Sequence, residues 1–226
     1  MRRSTLMAGL GVLLSAFGPL TGQRPTRRAV AAPRVVPERP LPATDSIPTL
    51  LVFITIDQFR GDYLDRFGAQ LTGGLGRLKK GGAWFADAFQ DHGVTETAPG
   101  HASTMSGRFP SHTGIISNTF GVTDPQEPLI DAQGPGASPY RFRGGTLIDW
   151  LRVRWTGSRA LSVSAKDRSA ILPIGRAHQQ AYWYVNGEWK FTTSRYYADT
   201  LPDWVKAFNA RGEPKSFVGQ DWTLLL

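Results

Sequence analysis

Asp57, Thr97, Asn118, Lys166 and Arg168 follow one another along this chain at spacings that invite a chemical reading. Asp57 ends an apolar run, Thr49 to Ile56. Thr97 stands 40 residues further on, in Thr-Ala-Pro-Gly-His (97–101), and Asn118 follows 21 residues later. Lys166-Asp167-Arg168 adds two cations. A carboxylate, a hydroxyl, an amide and a pair of cations are the parts that phosphoryl transfer requires. That reaction needs an in-line nucleophile, neutralisation of the non-bridging oxygens and help for the leaving oxygen. A threonine hydroxyl is a poor nucleophile at neutral pH. Metal coordination lowers its pKa, and a second metal ion stabilises the departing oxygen. Asp57 and Thr97 suit one shared Zn²⁺, which accepts oxygen ligands. Asn118 can donate its amide to one phosphoryl oxygen, and Lys166 and Arg168 can place charge on another, Arg in bidentate fashion.

Each residue has a plain structural reading as well. Thr97 at a helix start is an N-cap. Asn118 after a serine is a turn residue. Lys-Asp-Arg is a solvated charge cluster, and Asp57 can cap the segment that follows it. His101 and His112 read as structural partners in a polar loop, and His92 and His178 belong to no constellation. Thr95 competes with Thr97 as the hydroxyl.

The elements that must position these groups follow from pattern. Thr49 to Ile56 is apolar and β-branched, like a strand buried on both faces of a parallel sheet. Ligands of open α/β sheets gather at the carboxyl ends of strands, where Asp57 falls. Tyr63 to Lys80 reads as helix broken around Gly73-Gly74, and Trp84 to Phe89 as a second strand. Thr97 to Ser106 reads as a helix closed by Gly107, with Pro99 in its first turn where proline is tolerated. Its N-terminus offers backbone N–H groups and the positive dipole end to an anion. Residues 121–140, rich in Pro, Gly and Asp, read as a surface loop. Thr146 to Val153 is a helix, and Ala160 to Ser164 a third strand. Ala181 to Val185 and Glu188 to Phe191 form a hairpin with Asn186-Gly187 as its turn. Pro202 to Asn209 is a short helix. Strands alternating with helices place the chain in the α/β class.

The chain has 226 residues, enough for one large α/β domain, and its seven Trp, six Tyr and twelve Phe supply a sizeable core. The net charge of +8 sits mostly in the first 48 residues, where seven Arg face two acids. The basicity is a property of that tail and does not point to nucleic acid as a specific partner. Met1-Arg2-Arg3 and the apolar stretch Leu6 to Leu20 match the n- and h-regions of a signal peptide, here assigned to residues 1–22. The apolar stretch is short for a spanning helix, so no stable membrane span is expected after its removal. Zero cysteines fit an export route that does not rely on disulfides. Residues 23–48 read as a Pro/Arg-rich linker, and 49–226 as the catalytic body.

Several ordered motifs make a family resemblance. Ile-Asp-Gln-Phe-Arg-Gly-Asp-Tyr-Leu (56–64), Thr-Ala-Pro-Gly-His (97–101), Ser-Gly-Arg-Phe-Pro-Ser-His-Thr-Gly-Ile (106–115), Asn118, Lys166-Asp167-Arg168, Thr-Ser-x-Tyr-Tyr (193–197) and Leu-Pro-x-Trp-Val (201–205) resemble the alkaline phosphatase superfamily. Within it they are similar to the bacterial Thr-nucleophile, PafA-type enzymes. The resemblance implies an alkaline-phosphatase-like mixed, mostly parallel sheet flanked by helices. It implies a periplasmic or secreted hydrolase of phosphate monoesters using two Zn²⁺ ions and a phosphothreonine intermediate. Asp57 and Thr97 would bind zinc, Thr97 would be the nucleophile, and Asn118, Lys166 and Arg168 would hold phosphoryl oxygens. Thr97 is preferred to Thr95 for its place before Ala-Pro-Gly-His and its distance to Asn118. In the related nucleotide pyrophosphatase/phosphodiesterases the Lys-x-Arg pair does not recur, which favours monoester over diester. The sulfatase pattern, Cys or Ser followed by x-Pro-x-Arg, is absent. The family's remaining ligands, an Asp-x-x-x-His, an Asp-His pair and a final His, have no counterpart after Arg168, where only His178 stands. The chain therefore reads as the N-terminal part of a longer domain, truncated before its last ligands. A non-catalytic phosphate-binding fragment is the alternative from another class.

Overall fold

The structure is a computed structural model that describes residues 49–223. The expected signal peptide and linker lie outside the described residues. From Phe53 onward the chain forms one unit. Among the described residues no helix is long and apolar enough to cross a membrane.

The elements run in the order α1 (Tyr63–Arg66), α2 (Gly74–Gly81), α3 (Thr97–Ser106), α4 (Pro110–Thr113), α5 (Leu147–Arg154), β1 (Leu161–Ser164), α6 (Asp167–Ile174), β2 (Gln180–Val185), β3 (Lys190–Thr192), α7 (Asp203–Arg211) and α8 (Glu213–Ser216). The strands form one mixed sheet in the order β1-β2-β3. β1 pairs parallel with β2, Leu161 opposite Gln180, and α6 makes the crossover between them. β2 pairs antiparallel with β3, Val185 opposite Lys190. The chain is thus α/β, as its alternation predicts.

α3 is where pattern and structure agree best. It begins at Thr97, as expected, because Glu96 is still extended and Pro99 needs no donor in the first turn. It ends at Gly107, whose φ of 64° suits a left-handed cap. Its buried face is Ala98, Pro99, His101, Ala102 and Ser106. Ala98 and Ala102 join Ala170, Ile171 and Leu172 of α6, with Ile115, Phe142 and Trp183, in the main core. A second core of Ile130, Tyr182, Leu201 and Val205 lies under α7. There the Asn209 side chain accepts from Phe191 N and donates to Phe191 O, each at 2.8 Å. One amide thereby covers backbone groups of the edge strand β3.

α6 is an element the pattern does not announce. Pro173 in its last turn disguises it, yet the proline falls one residue before the end, where it interrupts little of the helix. Gly175 closes it with φ 59°. A Cβ on Gly175 would lie 2.8 Å from Thr146 Cγ2 and 3.1 Å from the Phe142 ring, so only glycine fits.

Four expectations change. Thr49 to Ile56 is not a strand: the segment has no ladder partner among the described residues, and Leu50 and Ile54 are 75% and 71% exposed. Trp84 to Phe89 is likewise irregular, with Phe85 and Phe89 exposed. Alternation and branching favour a pleated surface, but a strand exists only where a neighbour completes its hydrogen bonds. Residues 121–140 are irregular, as expected, but only partly a surface loop. Val122, Ile130, Ala137, Ser138 and Pro139 are buried. Bridges join Thr123 to Ala137 and Leu129 to Ser194, and Asp124 accepts a hydrogen bond from the Ser138 hydroxyl. Its Pro and Gly shape an irregular path that fills the core. The hairpin forms, but Asn186–Glu188 makes a 3-10 turn and Trp189 takes the left-handed conformation in place of a two-residue Asn-Gly turn.

Gly175→Ala should therefore cost about 1–3 kcal/mol, from the positive φ and the clash together, measured by urea denaturation. Burial, and to a lesser degree neighbouring Tyr196, push the Tyr197 phenol well above its ordinary value. A raised folded-state pKa stabilises fully below the unfolded value of ~10 and is lost as pH rises through the folded value. Tyr197→Phe, which forfeits the bond from Tyr197 Oη to Gly175 O at 3.3 Å, should be less stable than the parent at pH 7. It should lose less stability than the parent above about pH 10 in parallel urea titrations.

Candidate active site

Asp57 lies in the turn after the exposed segment, beside Gln58, whose φ of 59° is left-handed. That conformation is uncommon for a residue with a Cβ. Thr97 is the first residue of α3 and Lys166 the N-cap of α6. The three side chains meet at one atom. Thr97 Oγ1 donates to Asp57 Oδ2 at 3.1 Å, and Lys166 Nζ lies 3.5 Å from the same oxygen. The Lys166 and Asp57 side chains are 50% and 42% exposed, so their ion pair contributes little to stability.

Asn118 joins from the loop after α4. Its Oδ1 accepts from Ala98 N in the first turn of α3 at 2.9 Å. Its own N–H donates to the Glu96 carboxylate at 2.6 Å. Gly121 allows the chain to pass here: a Cβ there would lie 2.9 Å from Asn118 O and 3.5 Å from Ala98 Cβ. With Oδ1 committed, the Nδ2 donors of Asn118 have no bond among the described residues, and they are the atoms suited to an anion.

Arg168, in the first turn of α6, stands apart from the Asp57 cluster. Its Nη1 lies 3.4 Å from Asp167 Oδ1, which also accepts from Arg168 N at 2.7 Å. Its buried Nε has no acceptor among the described residues. The structure thus brings Asp57, Thr97 and Lys166 into contact, ties Asn118 to the start of α3, and leaves Arg168 engaged with its neighbour.

The rival hydroxyl, Thr95, is exposed and precedes the helix, and the bond to Asp57 comes from Thr97. His101 is a buried structural residue whose Nδ1 bonds Thr97 O at 2.8 Å. His112 is exposed on α4, His92 pairs with Gln90, and His178 stacks on Tyr196. Glu96 is the participant that sequence reasoning misses. Its only sequence signal is its place immediately before Thr97.

Asp57 Oδ2 and Thr97 Oγ1 are hard oxygen donors 3.1 Å apart, suited to a share of one zinc ion's shell. Among the described residues no three His, Cys, Asp or Glu side chains gather into a metal-holding group. They fit part of one ion's coordination and do not make a two-ion site.

Residues 51–224 match the family described as Type I phosphodiesterase / nucleotide pyrophosphatase. Alkaline phosphatase PhoV of Synechococcus elongatus is 36% identical over 200 residues, covering 81% of this chain and 36% of that protein. Alkaline phosphatase PafA of Elizabethkingia meningoseptica is 32% identical, covering 79% and 36%. A crystal structure of wild-type alkaline phosphatase PafA is 33% identical, with a TM-score of 0.69 over 75% of this chain and 36% of that one. A solved variant of PafA with substitutions at one threonine, one asparagine, one lysine and one arginine is 30% identical, with a TM-score of 0.69. The chain spans about a third of the length of these relatives.

Because the cluster is exposed, Asp57→Ala or Lys166→Ala should change unfolding free energy by less than about 1 kcal/mol. Denaturant titration checks this, and a larger loss would show that the cluster holds the fold together.

Proposed function

The chain belongs to the alkaline phosphatase superfamily, in the Type I phosphodiesterase / nucleotide pyrophosphatase family, and from that premise we propose that its site serves hydrolysis of phosphate monoesters with Thr97 as nucleophile. The observation that carries the reading is the meeting of Thr97 Oγ1 and Lys166 Nζ on Asp57 Oδ2, at the starts of α3 and α6. The threonine and asparagine substituted in the PafA variant are separated along the chain as Thr97 and Asn118 are, and its lysine and arginine as Lys166 and Arg168 are. This supports the same assignment here.

In the proposed reaction the hydrogen bond to Asp57 aims the Thr97 hydroxyl. Its oxygen attacks phosphorus and gives up its proton to solvent, an O–P bond forms to Thr97, and the bond to the leaving oxygen breaks, that oxygen taking a proton from water to depart as the alcohol. Water then hydrolyses the phosphothreonine and returns the hydroxyl. The Thr97 main-chain N–H at the start of α3 and the Asn118 Nδ2 donors are the groups for the non-bridging oxygens, since Ala98 N is spent on Asn118 Oδ1 and Gly100 N on Glu96 O. Lys166 leaves Asp57 for the substrate, and Arg168 turns its guanidinium from Asp167 towards a second phosphoryl oxygen. Asp57 and Thr97 would hold zinc, whose Lewis acidity lowers the pKa of a bound hydroxyl. A monoester carries about one more negative charge on its terminal phosphoryl group than a diester, so two cations at this end favour the monoester.

The diesterase reading draws on the family description itself. Residues 1–22 would direct the protein out of the cytoplasm, for phosphate scavenging in the periplasm or outside the cell. The decisive measurement is hydrolysis of p-nitrophenyl phosphate against bis-p-nitrophenyl phosphate by the zinc-loaded chain, with zinc counted. Thr97→Ala should lower monoester turnover at least ~10³-fold, and Lys166→Ala should lower it about 10–100-fold while sparing the diester. A preference for the diester that Lys166→Ala leaves unchanged defeats the monoester reading. Phosphate binding without turnover favours a phosphate-binding fragment instead.

A further inference from the structure

Glu96 and Asn118 have exchanged the roles that local chemistry assigns. An N-cap residue ordinarily turns its side chain onto the N–H groups of its own first turn. Glu96 is the N-cap of α3 but makes no such bond. Its carboxylate instead reaches Asn118 N, 22 residues away, at 2.6 Å. The vacated N–H of Ala98 is taken by Asn118 Oδ1 at 2.9 Å. Asn118 is thus fastened to the start of α3 twice, once through its main chain and once through its side chain. The two bonds reach α3 on either side of Thr97.

We propose that Glu96 is a positioning residue, which fixes Asn118 so that its Nδ2 donors face a phosphoryl group on Thr97. The proposal rests on the phosphoryl-transfer reading of the site. The side-chain bond alone sets which end of the amide faces Ala98, but it leaves the Asn118 peptide free to turn. The Glu96 bond removes that freedom, and a bond to an ionised acceptor is stronger than one between neutral groups. Glu96 also places negative charge at the positive end of α3. That charge opposes an incoming phosphate, so a purely electrostatic Glu96 would weaken phosphate binding and its removal would improve it. A strap predicts the reverse for any substitution that deletes the acceptor.

Glu96→Ala deletes both acceptor and charge, whereas Glu96→Gln keeps an acceptor and loses only the charge. The full chain and these variants are compared for inorganic phosphate affinity by ³¹P NMR, and for the Asn118 main-chain and Nδ2 signals in ¹H–¹⁵N spectra. Glu96→Ala should weaken phosphate binding about 3- to 10-fold and move both Asn118 signals. Glu96→Gln should stay within about twofold of the parent. In an Asn118→Ala background, Glu96→Ala should weaken binding no further. Tighter phosphate binding in Glu96→Ala, an equal loss in Glu96→Gln, or a full loss persisting without the Asn118 amide would overturn the strap. If the unsubstituted chain binds no phosphate, the phosphoryl reading falls on its own. The Asn118 signals then decide the strap alone: moved in Glu96→Ala they uphold it, unmoved they refute it.

Discussion

Ala98 and Ala102 on α3 share one buried cluster with Ala170 and Ile171 on α6, and the two helices pack together. Small side chains let helix axes approach closely, and such a contact tolerates little added volume. The packing fixes more than the core. Thr97 begins α3 and Lys166 caps α6, so when the two helices dock, their N-terminal ends reach the same carboxylate, Asp57. Neither helix would create the site by itself. The rest of the unit supports this contact: β1 and β2 hold α6 through its crossover, and residues 121–140 fill the core beneath with Val122 and Ala137.

The charges at the site are arranged as internal pairs. Asp57 serves the Thr97 hydroxyl and Lys166, Asp167 holds Arg168, and Glu96 holds the Asn118 main chain. Two positive helix ends and two cations are therefore offset by three carboxylates. Such a site has no large unbalanced charge to destabilise the fold, and the exposure of Lys166 and Asp57 keeps the pair between them weak. Weak, solvated pairs can exchange partners at small cost. That suits the proposed reaction, in which Lys166 leaves a carboxylate for a phosphoryl oxygen, and it separates the energetics of the site from those of the core. The core depends instead on buried residues such as Phe142, Ile171 and Leu172.

Much of the candidate site is legible in the amino-acid order, because its information is local. The Thr97-Ala98-Pro99 start and the Gly107 stop dictate α3 through φ constraints that act within a turn. The Asn186-Gly187 hairpin and the helices at Leu147–Arg154 and Asp203–Arg211 follow from patterns of the same kind. α6 is hidden because Pro173 reads as a breaker, although its place next to the last residue makes it harmless. Residues 121–140 mislead for a related reason. Pro and Gly report an irregular path, not whether that path is wet or buried.

The sequence by itself marked Asp57, Thr97, Asn118, Lys166 and Arg168 as candidates, and it determined where α3 begins and ends and that strands alternate with helices. These depend on residue type and on interactions within a few positions. The tertiary structure decided which segments find ladder partners, so β1 and β2 pair while Thr49 to Ile56 and Trp84 to Phe89 remain irregular. It also decided that Thr97, and not Thr95, bonds Asp57, and that Glu96 turns from its own helix to Asn118. Those last two contacts join residues 40 and 22 positions apart, and they arise from packing that no local pattern records.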